Sequence, residues 1–94
     1  DERGGFGRIW CPEVFAAQGI DFRVAQANLS RNRARHTLRG MHGQAPPHEE
    51  AKLVQCVRGR IHDVAVDLRP DSGTRGTHVA VDLSADANSL FLIP

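Results

Sequence analysis

Charged side chains interrupt apolar, strand-like runs in the middle of the chain, and their types suggest acid–base chemistry. His42 ends a short strand-like run, Lys52 opens a second run, and Asp63 lies inside a third. Burying such charges is costly unless they are paired. An imidazole titrates near neutral pH and suits a general base, and an ammonium can stabilise an enolate or bind phosphate. These three residues are therefore the candidate catalytic group.

Each of the three residues also has an ordinary structural explanation. His42 has the alternative of a hydrogen-bonded core or loop histidine, and Lys52 that of an edge-strand lysine that discourages aggregation. A buried Asp63 needs a partner, which Lys52, His42 or a group beyond Pro94 would supply. Gly40 would permit a bulge that points Arg39 and His42 the same way. Asp63 is therefore interpreted either as part of a catalytic site or as one member of a buried ion pair.

Metal binding is a further alternative for this part of the chain. His42, His48, Glu49 and Glu50 fall within nine positions. However, they include no His-Xaa-His pair, and His48 follows two prolines in what reads as an exposed loop. We therefore predict that these residues hold no metal.

Alternation of apolar and polar residues predicts the elements that would position these groups. The segment from Pro12 to Gln18 reads as a helix, with Pro at its start and Gly19 just past its end. Strands are predicted at residues 6–10, 22–30, 38–41, 77–83 and 89–93, with a hairpin over residues 52–69. Short strands at regular spacing with one small helix favour a single domain, 1–94, built as an antiparallel sandwich or barrel.

The hairpin is predicted to turn at Arg58-Gly59. A two-residue loop would place Val54 opposite Asp63 and Lys52 opposite Ala65. One face of the sheet would then carry Lys52, Val54, Cys56, Ile61, Asp63 and Ala65. Charged groups from both strands would thus share one surface.

Composition excludes several function classes. The chain has 94 residues and a net charge of +1. It lacks a basic stripe of the kind that binds nucleic acid, so we predict no nucleic-acid partner. No signal peptide, membrane-spanning run or lipidation motif is seen, so we predict no membrane contact and a cytoplasmic location. Cys11 and Cys56 read as buried, reduced thiols. A domain of this size has a small core, which favours oligomerisation.

The order of several motifs along the chain resembles the dTDP-4-dehydrorhamnose 3,5-epimerase family of cupin-fold sugar-nucleotide epimerases. The matching segments are Asp1-Glu2-Arg3-Gly4 with Phe6, Gln26-Ala27-Asn28-Leu29-Ser30, Leu38-Arg39-Gly40-Met41-His42 with Gln44, Lys52-Leu53-Val54, and Asp63-Val64-Ala65-Val66-Asp67-Leu68-Arg69. They extend over the whole chain, and together they are specific.

The resemblance implies a jelly roll that works as a homodimer or higher homo-oligomer, with the N-terminal strand helping to build the partner's site. It implies a cofactor-independent reaction on a nucleotide-linked 4-keto-6-deoxyhexose, inverted at C3 and C5 through an enolate. His42 would be the base and Lys52 would stabilise the enolate oxygen. Further residues would position the nucleotide, diphosphate and sugar, namely Arg3, Phe6, Gln26, Asn28, Arg39 and Gln44.

The chain also departs from the family pattern. Gly43 and His62 stand where the family usually has aromatic residues, and Arg8 where some members carry a glutamate. The family continues past the position of Pro94 into a segment with an acid tyrosine, and this chain has no tyrosine. We therefore expect an incomplete jelly roll, about half of the fold. The alternatives are a truncated, non-catalytic homologue that binds a sugar nucleotide or only oligomerises, and a small metal-binding cupin.

Overall fold

The computed structural model describes residues 1–94, which form two compact units. The first unit spans residues 1–42 and the second residues 43–94. A single domain over 1–94 stays a prediction. Neither unit contains a helix that is long and apolar enough to span a membrane.

The first unit contains one helix, α1, over Pro12–Ala17. Pro12 fits the first turn because the N–H that proline lacks would have no partner there. Gly19 follows the helix with a φ of 74°, a left-handed conformation that glycine adopts without strain. Its N–H donates to the Ala16 carbonyl at 2.9 Å. The predicted helix is confirmed, and its end is set by Gly19.

Half-buried aromatic side chains surround α1. The rings of Phe15 and Phe22 lie 6.3 Å apart between centroids, in a tilted arrangement, and the Trp10 indole N–H donates to the Phe22 carbonyl at 3.4 Å. Aromatic pairs at this separation attract each other beyond the burial of their area. The chain segments before and after the helix are therefore held together by Phe22.

The strands predicted at residues 6–10, 22–30 and 38–41 are wrong, because none of these segments is in a β-strand. A strand needs a neighbour that satisfies its backbone N–H and C=O groups, and no segment of the first unit pairs with them. Most of their large apolar side chains are instead exposed, including Phe6 at 98% and Leu38 at 90%. Alternation alone therefore did not make a sheet here.

The second unit contains four strands in two antiparallel pairs. They are β1 (Lys52–Gln55), β2 (Arg60–Val66), β3 (His78–Ser84) and β4 (Leu90–Ile93). β1 pairs with β4, and β2 pairs with β3. In the first pair Lys52 lies opposite Ile93 and Val54 opposite Phe91. In the second, Asp63 lies opposite Val81.

The predicted hairpin of residues 52–69 is wrong: β1 and β2 belong to different sheets. β1 and β4 are both half-buried at every position. β2 instead alternates between exposed and half-buried residues over its first half, and it pairs with β3, in which polar His78, Asp82 and Ser84 alternate with apolar residues. Strands with similar burial patterns are therefore paired, although β1 and β2 are closer to each other in sequence.

The bend between β1 and β2 is closed by a side chain. The Cys56 thiol lies 3.4 Å from the Arg58 carbonyl and 3.3 Å from the Gly59 carbonyl. The Gly59 carbonyl also accepts from the Ala85 N–H at 3.1 Å, which extends the β2–β3 pairing by one step. Cys56 and Leu83 are the two buried apolar residues, at 6% and 3% exposure. The core of the second unit therefore lies where the bend meets the end of β3.

Candidate functional site

His42 and Arg39 are exposed residues near the end of the first unit. Gly40 between them has a φ of 119°, and a Cβ at that position would lie 3.5 Å from the His42 ring Nδ1. Only glycine adopts this backbone conformation readily. Gly40 therefore sets the course of the backbone into His42 and leaves space beside its imidazole.

Arg39 is held in place by its own unit. Its Nε donates to the Asn32 side-chain oxygen at 2.6 Å, and its Nη2 donates to the Arg31 carbonyl at 3.4 Å. Both acceptors are neutral, so neither of them offsets the positive charge of the guanidinium. Such a group is available to bind an anion.

The other predicted binding residues of the first unit are solvent-exposed. Arg3 forms hydrogen bonds and an ion pair with the Asp1 carboxylate, and the Phe6 ring is 98% exposed. Gln26 and Asn28 make no side-chain hydrogen bond. The structure brings none of these four side chains into hydrogen-bond contact with another predicted site residue.

Lys52, Asp63 and Gln44 lie in the second unit. The Lys52 ammonium pairs with Glu50 Oε1 at 3.1 Å, and both side chains are just over one-third exposed. Asp63 is half-buried in β2 and forms no ion pair or side-chain hydrogen bond. Gln44 is exposed in the preceding loop. The partner of Lys52 is therefore Glu50 rather than Asp63.

The predicted common face of Lys52 and Asp63 is also wrong. The two residues belong to separate sheets, Lys52 in the β1–β4 pair and Asp63 in the β2–β3 pair. Their predicted juxtaposition depended on a hairpin register that the chain does not adopt.

The metal-binding alternative drew on His42, His48, Glu49 and Glu50. The structure contains no group of three or more His, Cys, Asp or Glu side chains that could hold a metal ion. Glu50 is already paired with Lys52. These four residues therefore do not form a ligand set in this structure.

A cross-strand pair that sequence reasoning missed lies on the exposed face of the β2–β3 sheet. His62 is directly opposite Asp82, and its ring Nδ1 lies 2.7 Å from Asp82 Oδ1. The pair is solvent-exposed, with 64% and 86% of the side chains accessible. Its members are distant in sequence, so only the β2–β3 register reveals it.

Asp67 organises the loop between β2 and β3. Arg69 donates to both carboxylate oxygens, at 3.0 and 2.8 Å, and the hydroxyls of Ser72 and Thr74 donate to Oδ2 at 2.6 and 2.7 Å. These hydrogen bonds, Arg69 first and the hydroxyls next, hold the pKa of Asp67 well below its ordinary value of 3.8. The carboxylate in turn raises the pKa of Arg69. The side-chain contacts of Asp67 are all within this loop, so its role here is structural.

Comparison with known proteins shows which family the chain resembles. Residues 1–94 match the family model described as dTDP-4-dehydrorhamnose 3,5-epimerase. The chain is 42% identical over 95 residues to the dTDP-4-dehydrorhamnose 3,5-epimerase of Shigella flexneri, covering all of this chain and 52% of that protein. It is 47% identical over 77 residues to the dTDP-4-dehydrorhamnose 3-epimerase of Streptomyces niveus, covering 81% of this chain and 37% of that protein.

A solved structure of the same kind resembles the chain closely. The crystal structure of dTDP-4-dehydrorhamnose 3,5-epimerase from Bacillus anthracis with TDP and PPi bound matches with a TM-score of 0.96 at 37% identity. The match covers all of this chain and 54% of that one. The chain spans about half the length of the curated relatives it matches.

Fold and comparisons together define the class of the protein. Its strands, in open antiparallel sheets with one short helix, confirm the predicted all-β class and are consistent with a partial cupin-like domain. The chain belongs to the dTDP-4-dehydrorhamnose 3,5-epimerase family, as its motifs indicated.

Proposed function

We propose that the chain carries the base side of an epimerase site that acts on a nucleotide-linked 4-keto-6-deoxyhexose. The observation that supports this most directly is membership of the epimerase family over all 94 residues. Related proteins are named as epimerases of dTDP-4-dehydrorhamnose. The accessible imidazole of His42, next to Gly40, is consistent with the role.

In the proposed reaction the His42 imidazole removes the proton at the carbon beside the C4 ketone. The electron pair of the broken C–H bond forms a double bond to C4, and the π electrons of the carbonyl move onto its oxygen, which gives an enolate. The Lys52 ammonium stabilises that oxygen by charge and hydrogen bonding. The electrons return when a proton is delivered to the same carbon, and delivery to the opposite face inverts it. Asp63 is the third proposed catalytic group.

Substrate binding is assigned to the positively charged and polar residues. Arg39 and Arg3 would hold the diphosphate, because guanidinium groups match phosphate geometry. Phe6 would stack on the base or sugar, since its ring is fully accessible. Amide groups would hydrogen-bond the sugar and nucleotide, namely Gln26, Asn28 and Gln44.

Homo-oligomeric assembly belongs to the same proposal. Phe6, Leu38 and Met41 expose at least two-thirds of their surface, which leaves apolar area that a second copy of the chain would remove from water. Light scattering of the purified chain tests this: a mass that is a multiple of 10.3 kDa supports assembly. A monomer at micromolar concentration would contradict it.

Hydrogen exchange at the sugar carbons tests the catalytic proposal. The chain is incubated with dTDP-4-keto-6-deoxyglucose in heavy water, and deuterium at C3 and C5 is followed by NMR. His42→Ala should slow the exchange about 100-fold or more, as expected for loss of a general base. His48→Ala, which removes another exposed histidine that makes no side-chain hydrogen bond, is the matched control and should leave the rate unchanged.

The stereochemical outcome separates the two candidate functions. Inverted, deuterated sugar identifies an epimerase. Deuteration with retained configuration identifies a working base without an acid on the opposite face, which would fit a chain that has no tyrosine. A folded chain that gives no exchange above the buffer rate is not itself an enzyme. Binding of dTDP would then identify the non-catalytic homologue.

A further inference from the structure

Positive charge is concentrated in one part of the chain. Residues 22–48 contain five arginines and three histidines but no aspartate or glutamate. Because the whole chain carries +1, the remainder carries 1 − 5 = −4 with histidines neutral. Four of the five arginines fall within residues 31–39, which we call the arginine loop: Arg31, Arg33, Arg35 and Arg39.

The arginine loop is stabilised by its own hydrogen bonds. Arg39 donates to the Asn32 side chain and to the Arg31 carbonyl, so the last residue of the loop is tied to the first two. The Thr37 hydroxyl donates to the Ala34 carbonyl at 2.8 Å, and His36 adopts a φ of 61°. These contacts hold a reverse turn, and the arginines are therefore displayed on an ordered segment.

Three of these guanidinium groups have no partner within the chain. Arg31, Arg33 and Arg35 are exposed and form no ion pair or side-chain hydrogen bond. Like charges gathered on one loop repel each other, and a polyvalent anion relieves that repulsion. Guanidinium groups are also suited to phosphate, which they bind through two parallel hydrogen bonds.

We infer that the arginine loop is an anion-collecting site that attracts the diphosphate of the substrate and delivers it to Arg39. The inference rests on the proposed function for the identity of the ligand, and on the charge of the loop for the attraction. Clustered charge of one sign raises the local concentration of an oppositely charged ligand, and its effect on association is about 10- to 1000-fold at low salt. Arg31, Arg33 and Arg35 are thus assigned to recruitment, and Arg39 to direct contact.

Removal of the three unpaired arginine charges from the 94-residue chain tests the inference. Arg31, Arg33 and Arg35 are replaced together by Gln, and binding of inorganic pyrophosphate and of dTDP is measured by calorimetry. We expect both ligands to bind about tenfold more weakly in about 0.01 M salt, where the Debye length is about 30 Å. The difference should disappear in about 1 M salt, where that length is about 3 Å.

A matched triple variant shows whether position matters or only net charge. Arg58, Arg60 and Arg75 are exposed residues of the second unit, and their replacement by Gln changes the net charge by the same amount. We expect this control to bind both ligands like the unaltered chain. Equal weakening in both triple variants would overturn the inference, because net charge alone would explain it.

Comparison of pyrophosphate with dTDP distinguishes failure of this inference from failure of the proposed function. If the loop variant binds pyrophosphate as tightly as the unaltered chain, the arginine loop is not an anion site, whatever happens with dTDP. In a second outcome, the loop variant loses pyrophosphate binding, and the unaltered chain binds dTDP no more tightly than pyrophosphate. The arginine loop is then an anion site. In that case the nucleotide specificity of the proposed function fails. Circular dichroism confirms that each variant keeps its fold.

Discussion

His62 and Asp82 face each other across the β2–β3 sheet, with 2.7 Å between the ring Nδ1 and the carboxylate Oδ1. Both side chains are accessible to solvent, so water competes for each partner. Exposed pairs of this kind typically contribute about 0.2–1 kcal/mol.

We expect a double-mutant cycle of His62→Ala and Asp82→Ala to give a coupling energy of about 0.2–1 kcal/mol in urea unfolding. High salt should reduce it because the pair is exposed. A parallel cycle on Arg60 and Ser84, which are paired on the same face without a side-chain contact, should give none. Coupling well above this range would mean that the pair is shielded from water, for example in an assembly.

Replacement of Lys52 tests electrostatic stabilisation of the enolate. Lys52→Met keeps most of the aliphatic stem and removes the charge, so the deuterium exchange rate should fall about 100- to 1000-fold. Loss of the exposed pair with Glu50 should cost at most about 1 kcal/mol of stability. Glu50→Gln removes the same ion pair but keeps the ammonium, and it should retain exchange. Equal rates for Lys52→Met and the unaltered chain would exclude the proposed role of Lys52.

Acid should weaken the loop that Asp67 organises. The folded-state pKa of Asp67 lies below the ordinary value, chiefly because of the hydrogen bonds from Arg69. The stabilisation is therefore complete above the unfolded-state pKa and is lost as the pH falls through the folded-state pKa. Asp67→Asn should lower the urea midpoint near neutral pH, and this difference should shrink at about pH 2.

Asp71→Asn is the control for the Asp67 prediction. Asp71 is an exposed carboxylate of the same loop that makes no side-chain hydrogen bond. Its replacement should leave the midpoint unchanged at both pH values. If Asp67→Asn behaves in the same way, the hydrogen bonds around Asp67 do not stabilise the folded chain.

The two cysteines should differ in reactivity. Cys11 is half-buried and its thiol donates to Glu13 Oε2 at 2.9 Å, a hydrogen bond that lowers the pKa of Glu13. Cys56 is only 6% exposed. A thiol reagent such as Ellman's should give a fast phase from Cys11 and a slow phase that requires local opening at Cys56. Cys11→Ser should abolish the fast phase, and Cys56→Ser should leave it unchanged.

Leu83 should dominate the stability of the second unit. It is 3% exposed on β3, and Leu83→Ala should lower the free energy of unfolding by about 2–5 kcal/mol through lost burial and a cavity. Val79→Ala on the same strand, at a position that is 58% exposed, should change it by at most about 0.5 kcal/mol. Similar losses for both variants would show that Leu83 is not the centre of a packed core.

Local chemistry made part of this fold predictable. Pro12 and Gly19 bound α1 for reasons that act within one turn of the backbone. The turn residues after Ser84 likewise separated β3 from β4, where Asn88 adopts a left-handed conformation with φ of 48°. The pairing of β1 was not predictable in this way, because its partner, β4, is the strand furthest from it in sequence.

The candidate site was likewise predictable from the sequence only in part. His42, Lys52 and Arg39 could be named from residue type and motif. Their partners could not, because Glu50 and Asn32 lie at spacings that carry no general signal. The His62–Asp82 pair depended on a register that periodicity alone does not specify. The sequence therefore identified candidate residues by their type, but it did not identify the contacts that these residues form in the folded chain.

The pairing of β1 with β4 sets an order for folding during synthesis on the ribosome. β2 and β3 can pair once Ser84 has emerged, since only their loop lies between them. β1 must wait for Ile93 while residues 56–89 intervene, and closing a longer loop is slower and costs more entropy. β1 is thus the strand of this unit that stays unpaired longest, and its Leu53 and Val54 are where chaperones would be expected to bind.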